Sequence, residues 1–203
     1  MPTERFLRLP GDKQDKILDA AEKEFCAYPM EDISINRIIK DAGISRGSFY
    51  TYFNDKQDVL DYLVRRFRER EYDQAREYLL EHDFDVDALM LKSIDHYVEV
   101  FRHFGICDLG HDTAIKRGLV QFNGGRPEED ELAMEFCQWI WDRIDRDRYR
   151  VRDMDIFRDV FLHLMMLIFM TAARLLIFGD DRERTMKRYE EMLDIMKKGL
   201  IRR

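Results

Sequence analysis

Apolar residues recur at three- and four-residue spacings along nearly the whole chain, and no run alternates with period two. The pattern predicts helices and no sheet. Asp12 is placed to cap a first helix over about 12–28, with Asp15 in its first turn and Ile17, Leu18, Ala21 and Phe25 on one stripe. Pro29 ends it, and 30–33 is a connector. Ser34 caps a short helix in which Ile35, Ile38, Ile39 and Ala42 fall at i, i+3, i+4 and i+7. Gly43 follows at once, where a helix usually closes on a left-handed residue. Ile44 can pack into the angle that follows. Ser45 caps a second helix over 46–53, with Phe49 and Phe53 at i, i+4 facing inward. Asp55 caps a long helix to about residue 81, with Val59, Leu60, Leu63, Val64 and Phe67 as its opening stripe. Its middle, R-R-F-R-E-R-E, reads as a solvated face of i,i+4 pairs.

Residues 82–85 break the pattern. An amphipathic helix over 86–104 follows, with Leu89, Ile94, Tyr97, Val98, Phe101 and Phe104 at helical spacing. The stretch 105–125 is the least regular, holding five of the ten glycines, with one short helix expected over about 112–122. Pro127 suits the first position of a helix running to about 146, with Leu132, Met134, Phe136, Trp139 and Ile140. The most apolar stretch is 155–178. Arg158, Asp159, His163 and Arg174 interrupt it, so it reads as a helix buried on several sides and not as a membrane span. Gly179-Asp180 stops it, and 182–200 is a last helix with Met186, Tyr189, Met192, Leu193, Ile195 and Met196. The sum is an all-α chain of about nine helices. At its start, residues 1–10 are expected to form a loose arm whose Arg5 and Arg8 could reach phosphates.

Two short helices joined by a tight glycine turn form the helix-turn-helix pattern. The outer side of the second carries Arg46, Gly47, Ser48, Tyr50, Thr51 and Tyr52. Arg46 can donate to a guanine edge or a phosphate. The hydroxyls can reach phosphate oxygens, and Gly47 lets backbone approach DNA closely. A structural helix would rather carry Glu, Lys and Ala there. Asn36, Arg37 and Lys56 complete the candidate DNA-binding set.

The run S-I-N-R-I-I-K-D-A-G-I-S-R-G-S-F-Y-T-Y-F-N-D-K resembles the DNA-binding signature of the TetR family of bacterial transcriptional regulators. The matching positions are Ile38, Ala42, Gly43, Ile44, Ser45, Gly47, Phe49, Tyr50, Tyr52, Phe53, Asp55 and Lys56; Ile39 stands where Ala is usual. The resemblance implies a three-helix DNA-binding domain over 1–56 and a helical effector-binding and dimerisation domain over 57–203. In that arrangement the long helix after the signature links the two. Tyr50, Tyr52 and Lys56 become phosphate clamps, and two copies pair through the 155–178 and 182–200 helices. The expected partners are operator DNA, a second copy and a small-molecule effector. Tyr97, Phe101, Phe104, Phe122, Phe136, Trp139 and His163 are the candidates to line the effector pocket. That aromatic and Met-rich interior points to a hydrophobic or amphipathic ligand. The implied function is a ligand-responsive repressor that binds a palindrome as a dimer, with an activator or nucleoid-associated role as the alternative. A helical adaptor without DNA binding is the more distant one.

Composition adjusts this picture in three places. The net charge of −7 is unusual for a DNA binder, but residues 1–57 are nearly balanced and the excess acid lies beyond them. Within 34–56 four bases face two acids, a small basic face on an acidic body. Cys26, Cys107 and Cys137 are far apart with no C-x-x-C, which fits a reducing cytoplasm, and the N-terminal segment lacks the apolar core of a secretion signal. His103, Cys107 and His111 recur every four residues, a zinc-like spacing, but Gly105 and Gly110 interrupt it, so no metal and no cofactor is expected. No phosphate loop, G-x-S-x-G or H-E-x-x-H is present, and no enzyme is expected.

Overall fold

A computed structural model describes residues 1–103, 131–144, 151–176 and 178–200. Among these, every regular element is helical: α1 (Glu4–Leu7), α2 (Gly11–Ala27), a 3-10 turn (Met30–Asp32), α3 (Ile35–Ala42), α4 (Arg46–Tyr52), α5 (Lys56–Glu81), α6 (Val86–His103), α7 (Glu131–Trp141), α8 (Met154–Leu176) and α9 (Arg182–Leu200). The expected helix over 112–122, the opening at Pro127, and the candidates Phe104, Phe122, Cys107 and His111 lie outside the described residues. Contacts group the described residues into two compact units. The first is Met1–Arg70, and the second holds 71–103 and the described residues from 131 onward. The division expected at 56/57 falls at the start of α5, whereas the units part within that helix.

In the first unit the termini obey local rules. Ser34 Oγ accepts from the Arg37 amide at 3.4 Å and caps α3. Gly43 turns left-handed at φ 67°. The Gly43 amide donates to the Lys40 carbonyl, and the Ile44 amide reaches back to that of Ile39. This paired closure satisfies the last carbonyls of α3 and sets the angle into α4. Ser45 Oγ accepts from the Ser48 amide at 3.0 Å, and Asp55 accepts from the Asp58 amide at 2.9 Å. Asp12 is not the α2 cap. That helix starts one residue earlier, at Gly11, and Gln14 Nε2 donates to the Leu7 and Leu9 carbonyls instead. Ile17, Leu18, Ala21, Phe25, Ile38, Phe49, Phe53, Val59 and Val64 are buried.

The N-terminal arm is not loose. Residues Glu4–Leu7 are helical, and Phe6 is fully buried against Phe53, Tyr62 and Tyr52, at ring centroid distances of 4.8, 5.7 and 6.0 Å. The Thr3 amide donates to the Tyr52 carbonyl at 2.9 Å and its hydroxyl to the Thr51 carbonyl at 2.8 Å. Those carbonyls end α4 and would otherwise lack partners within the helix.

In the second unit the chain reverses between α5 and α6 through Asp83 and Phe84, at φ 49° and 58°. Asp85 then caps α6 through the Ala88 amide. One stripe of α6, Met90, Ile94, Val98 and Phe101, is buried, and Phe101 packs edge-on to Phe169 of α8. Leu79, Phe136, Cys137, Ile140 and Phe161 form a common core. Asp153 caps α8 through two amides, and Asp181 caps α9. Tyr189 is buried, with its hydroxyl donating to the Met90 carbonyl at 3.3 Å. Its burial pushes the phenol above the ordinary tyrosine range.

Candidate nucleic-acid interface and body cavity

Three of the DNA-binding candidates meet on the exposed side of α3 and α4. The Arg46 guanidinium donates to Asn36 Oδ1 at 2.7 Å and to the Tyr50 hydroxyl at 3.2 Å. It also lies 5.4 Å from the centre of the Tyr50 ring. All three are exposed. Beside them, a Cβ added at Gly47 would meet only Ser45 Oγ, at 3.8 Å, so nothing stands over the helix there. Thr51 donates to the Gly47 carbonyl, and Ser48 shares a hydrogen bond with Ser45. This face presents a guanidinium, an amide, a phenol and hydroxyls with no bulky apolar side chain between them. Such a face can engage base edges through Arg46 and Asn36, and phosphates through the hydroxyls.

Other candidates have structural partners. Arg37 grips the buried Glu24 carboxylate through Nε and Nη2 at 2.5–2.9 Å, donates to the Asp32 carbonyl at 2.7 Å, and stacks 4.2 Å from the Tyr28 ring centre. Glu24 also accepts from the Ser34 amide at 2.8 Å. The Glu24 hydrogen bonds raise the Arg37 pKa further, opposing a smaller desolvation effect. A carboxylate this buried requires a cation, and Arg37 supplies it while its side chain stays 46% exposed. Lys56 Nζ donates to the Met30 carbonyl at 2.6 Å, clasping the 3-10 turn. Tyr52 is half-buried against Phe6. Sequence reasoning missed that the pinned arm builds a shallow groove from Thr3, Glu4, Arg5, Arg8, Tyr50 and Thr51. The available signal was Phe6, the one aromatic among the first ten residues.

The second unit holds a partly open cavity of about 130 Å³. Helix α5 contributes Glu71 and Tyr72, and α6 contributes Lys92, His96 and Tyr97. Phe136 of α7 with Phe161 and Met165 of α8 complete the apolar wall. Two of the expected residues, Tyr97 and Phe136, therefore line it. Phe101 is core beside Phe169. Trp139 stacks on Phe84 at 5.4 Å, with Arg143 and Arg76 over its faces. His163 is exposed on α8, its Nδ1 facing the Asp159 carbonyl at 2.6 Å. The residues that sequence reasoning did not single out are Glu71 and His96, which form an ion pair at the cavity wall. The Glu71 carboxylate raises the His96 pKa above the ordinary imidazole range; desolvation and Lys92 oppose this with smaller effects. Among the described residues, no group of three His, Cys, Asp or Glu side chains is placed to hold a metal ion. Burial, with Glu22 adding to it, pushes the Cys26 thiol up to about 12, which leaves it protonated.

Residues 17–63 match the bacterial regulatory proteins of the tetR family. The chain is 40% identical over 140 residues to the HTH-type transcriptional regulator EthR of Mycobacterium tuberculosis, a match covering 67% of this chain and 61% of that protein. The chain thus spans less than two thirds of the length of this relative. A TetR-family transcriptional regulator from Pectobacterium atrosepticum superposes with a TM-score of 0.62 at 17% identity, over 97% of this chain and 99% of that one. NalD, the secondary repressor of the MexAB-OprM multidrug efflux pump in Pseudomonas aeruginosa, gives 0.55 at 21% identity, over 94% and 98%. At such identities the two structures show a shared fold.

Proposed function

The chain belongs to the tetR family of bacterial regulatory proteins, and from that premise we propose that it is a ligand-responsive repressor of transcription that binds a palindromic operator as a homodimer. The observation that carries the reading is the exposed Asn36–Arg46–Tyr50 cluster on a helix aimed by the Gly43 turn. It supplies base-edge donors and phosphate partners where a recognition helix needs them. Arg5 and Arg8, held beside Tyr50 and Thr51, extend the same surface. A dimer that fills adjacent major grooves excludes other proteins from that duplex, which is the simplest route to repression.

Dimerisation is supported by apolar surface that the single chain leaves uncovered. In the most apolar stretch of α8 only 28% is buried. Met166 and Met170 of α8 and Met192 and Ile195 of α9 are 44–69% exposed. Side chains of this kind clustered on two helices mark an association surface, and a second copy offers the same surface in return. Two recognition helices then sit one DNA turn, about 34–36 Å, apart. The cavity is the effector site in this reading. Helix α5 is continuous from Lys56, beside the signature, to Glu81, past the cavity wall, so occupancy of the cavity can bias it. Effector and operator affinities must change by the same factor.

Selection of bound duplexes from a random pool tests the proposal. An enriched palindrome with half-sites about one turn apart is expected. Absence of enrichment, even after unfolding and refolding to strip any retained ligand, would refute it.

A further inference from the structure

Among the described residues that line the body cavity, one cation lacks an acid partner. The described lining residues include one carboxylate, Glu71, whose side chain is only 15% exposed and is already hydrogen-bonded to His96 Nε2. Lys92 lies one helical turn before His96, on the same face of α6. Its Nζ rests 4.4 Å from the centre of the Tyr78 ring. No carboxylate among the described residues pairs with it. Glu71 is thus already engaged by His96, and the exposed Lys92 ammonium beside it has no acid partner of its own among the described residues. Phe136, Phe161 and Met165 line the cavity as well. The cavity, about 130 Å³, is close to the ~150 Å³ of an apolar cavity that holds a benzene ring.

We infer that this cavity takes a small carboxylic acid of single-ring size, bound as its anion. The ring rests against Phe136 and Phe161, and the carboxylate lies between Lys92 and His96. The inference rests on the reading of the cavity as the effector site and names the chemical class of that effector. A cationic ligand would meet the Lys92 ammonium where the one carboxylate among the described lining residues is already paired with His96. A neutral ligand would leave Lys92 without an acid partner. The bound carboxylate also competes with Glu71 for His96. Glu71 belongs to α5, so ligand binding loosens a tie between α5 and α6.

Calorimetric titration of the full chain without DNA, using benzoate, benzamide and benzylammonium, tests this. Benzoate should bind about tenfold more tightly than benzamide, as a charge-assisted hydrogen bond exceeds a neutral one. Benzylammonium should bind least. Lys92→Gln should weaken benzoate about two- to fivefold, the range of an exposed ion pair, and leave benzamide unchanged. The inference is overturned if benzamide or benzylammonium matches benzoate, if Lys92→Gln weakens benzoate and benzamide alike, or if none of the three binds. The duplex selection separates this from the broader reading. Palindrome enrichment without benzoate binding would overturn the acid alone, whereas benzoate binding without enrichment would support the acid and count against the regulator.

Discussion

Replacing Arg46 by Ala separates base reading from charge attraction. In the free protein the Arg46 guanidinium is exposed and hydrogen-bonded to Asn36 and Tyr50. It must exchange these contacts for a base edge. A bidentate contact to guanine discriminates by about 1–3 kcal/mol. The exposed bonds given up are worth at most a fraction of that, roughly 0.5–1 kcal/mol. Up to about 2.5 kcal/mol per protomer remains, or up to ~5 kcal/mol for a dimer, which at 1.4 kcal/mol per decade is a loss of at most a few thousand-fold. The loss should fall on the selected palindrome, with one base position per half-site relaxed and non-specific affinity nearly unchanged. Base contacts release no phosphate counterions. The salt slope should therefore hold, whereas loss of one phosphate contact per protomer would shallow it by about 1.8 for the dimer. The assay is competition binding of wild type and Arg46→Ala against a library of single-base operator variants, at several salt concentrations. An equal loss on every sequence together with a shallower slope would make Arg46 a phosphate contact and refute its role as a base reader.

The other expectations concern stability and assembly. Phe6→Ala should destabilise the first unit by about 3 kcal/mol, the lower end for a buried phenylalanine, because the arm can detach instead of leaving a void; urea unfolding checks it, and a change under ~1 kcal/mol would mean that the arm is not anchored by Phe6. The His96 pKa lies above the ordinary imidazole value because of Glu71, so the pair's stabilisation is fully present below that ordinary value and fades as pH rises through the raised one. Unfolding midpoints of wild type should accordingly fall relative to His96→Gln as pH rises above the ordinary imidazole value, and parallel profiles would refute the pairing. Met170→Glu, on the uncovered face of α8, should shift the protein from dimer to monomer in sedimentation while leaving its helicity intact; a retained dimer would place the interface elsewhere.

The helix-turn-helix was legible because its determinants are local. Ser34, Gly43 and Ser45 act within four residues of the backbone groups they satisfy, and the Ile38–Ala42 and Phe49–Phe53 pairs carry the helical period. Asn36, Arg46 and Tyr50 followed from the polar side of the same short helices. What the sequence concealed depends on partners distant along the chain. Arg37 and Lys56 look like free surface cations until Glu24 and the Met30 carbonyl are brought to them from 13 and 26 residues away. One phenylalanine in a ten-residue arm sets up no helical period long enough to detect, so the burial of Phe6 against Tyr62 could not be seen. In the body, counting aromatic residues found Tyr97 and Phe136 but misplaced His163. Which residues face the cavity is set by the reversal at Asp83 and Phe84, whose left-handed geometry neither residue type announces.

Helix α5 limits how regulators of this design can be recombined. Val59, Leu60, Leu63 and Val64 are buried in the first unit, and that unit ends at Arg70, eleven residues short of the helix end. A fragment cut where the signature ends would lose the four side chains that close its core. A graft of this DNA-reading part onto another body has to join in mid-helix, where phase is the constraint. One residue added at the seam rotates all that follows by about 100° and advances it ~1.5 Å, whereas seven residues restore the phase to within ~20° at a cost of about 10 Å of length. Insertions and deletions tolerated there should therefore come in whole turns, and chimaeras between relatives should succeed or fail by helical register more than by sequence similarity.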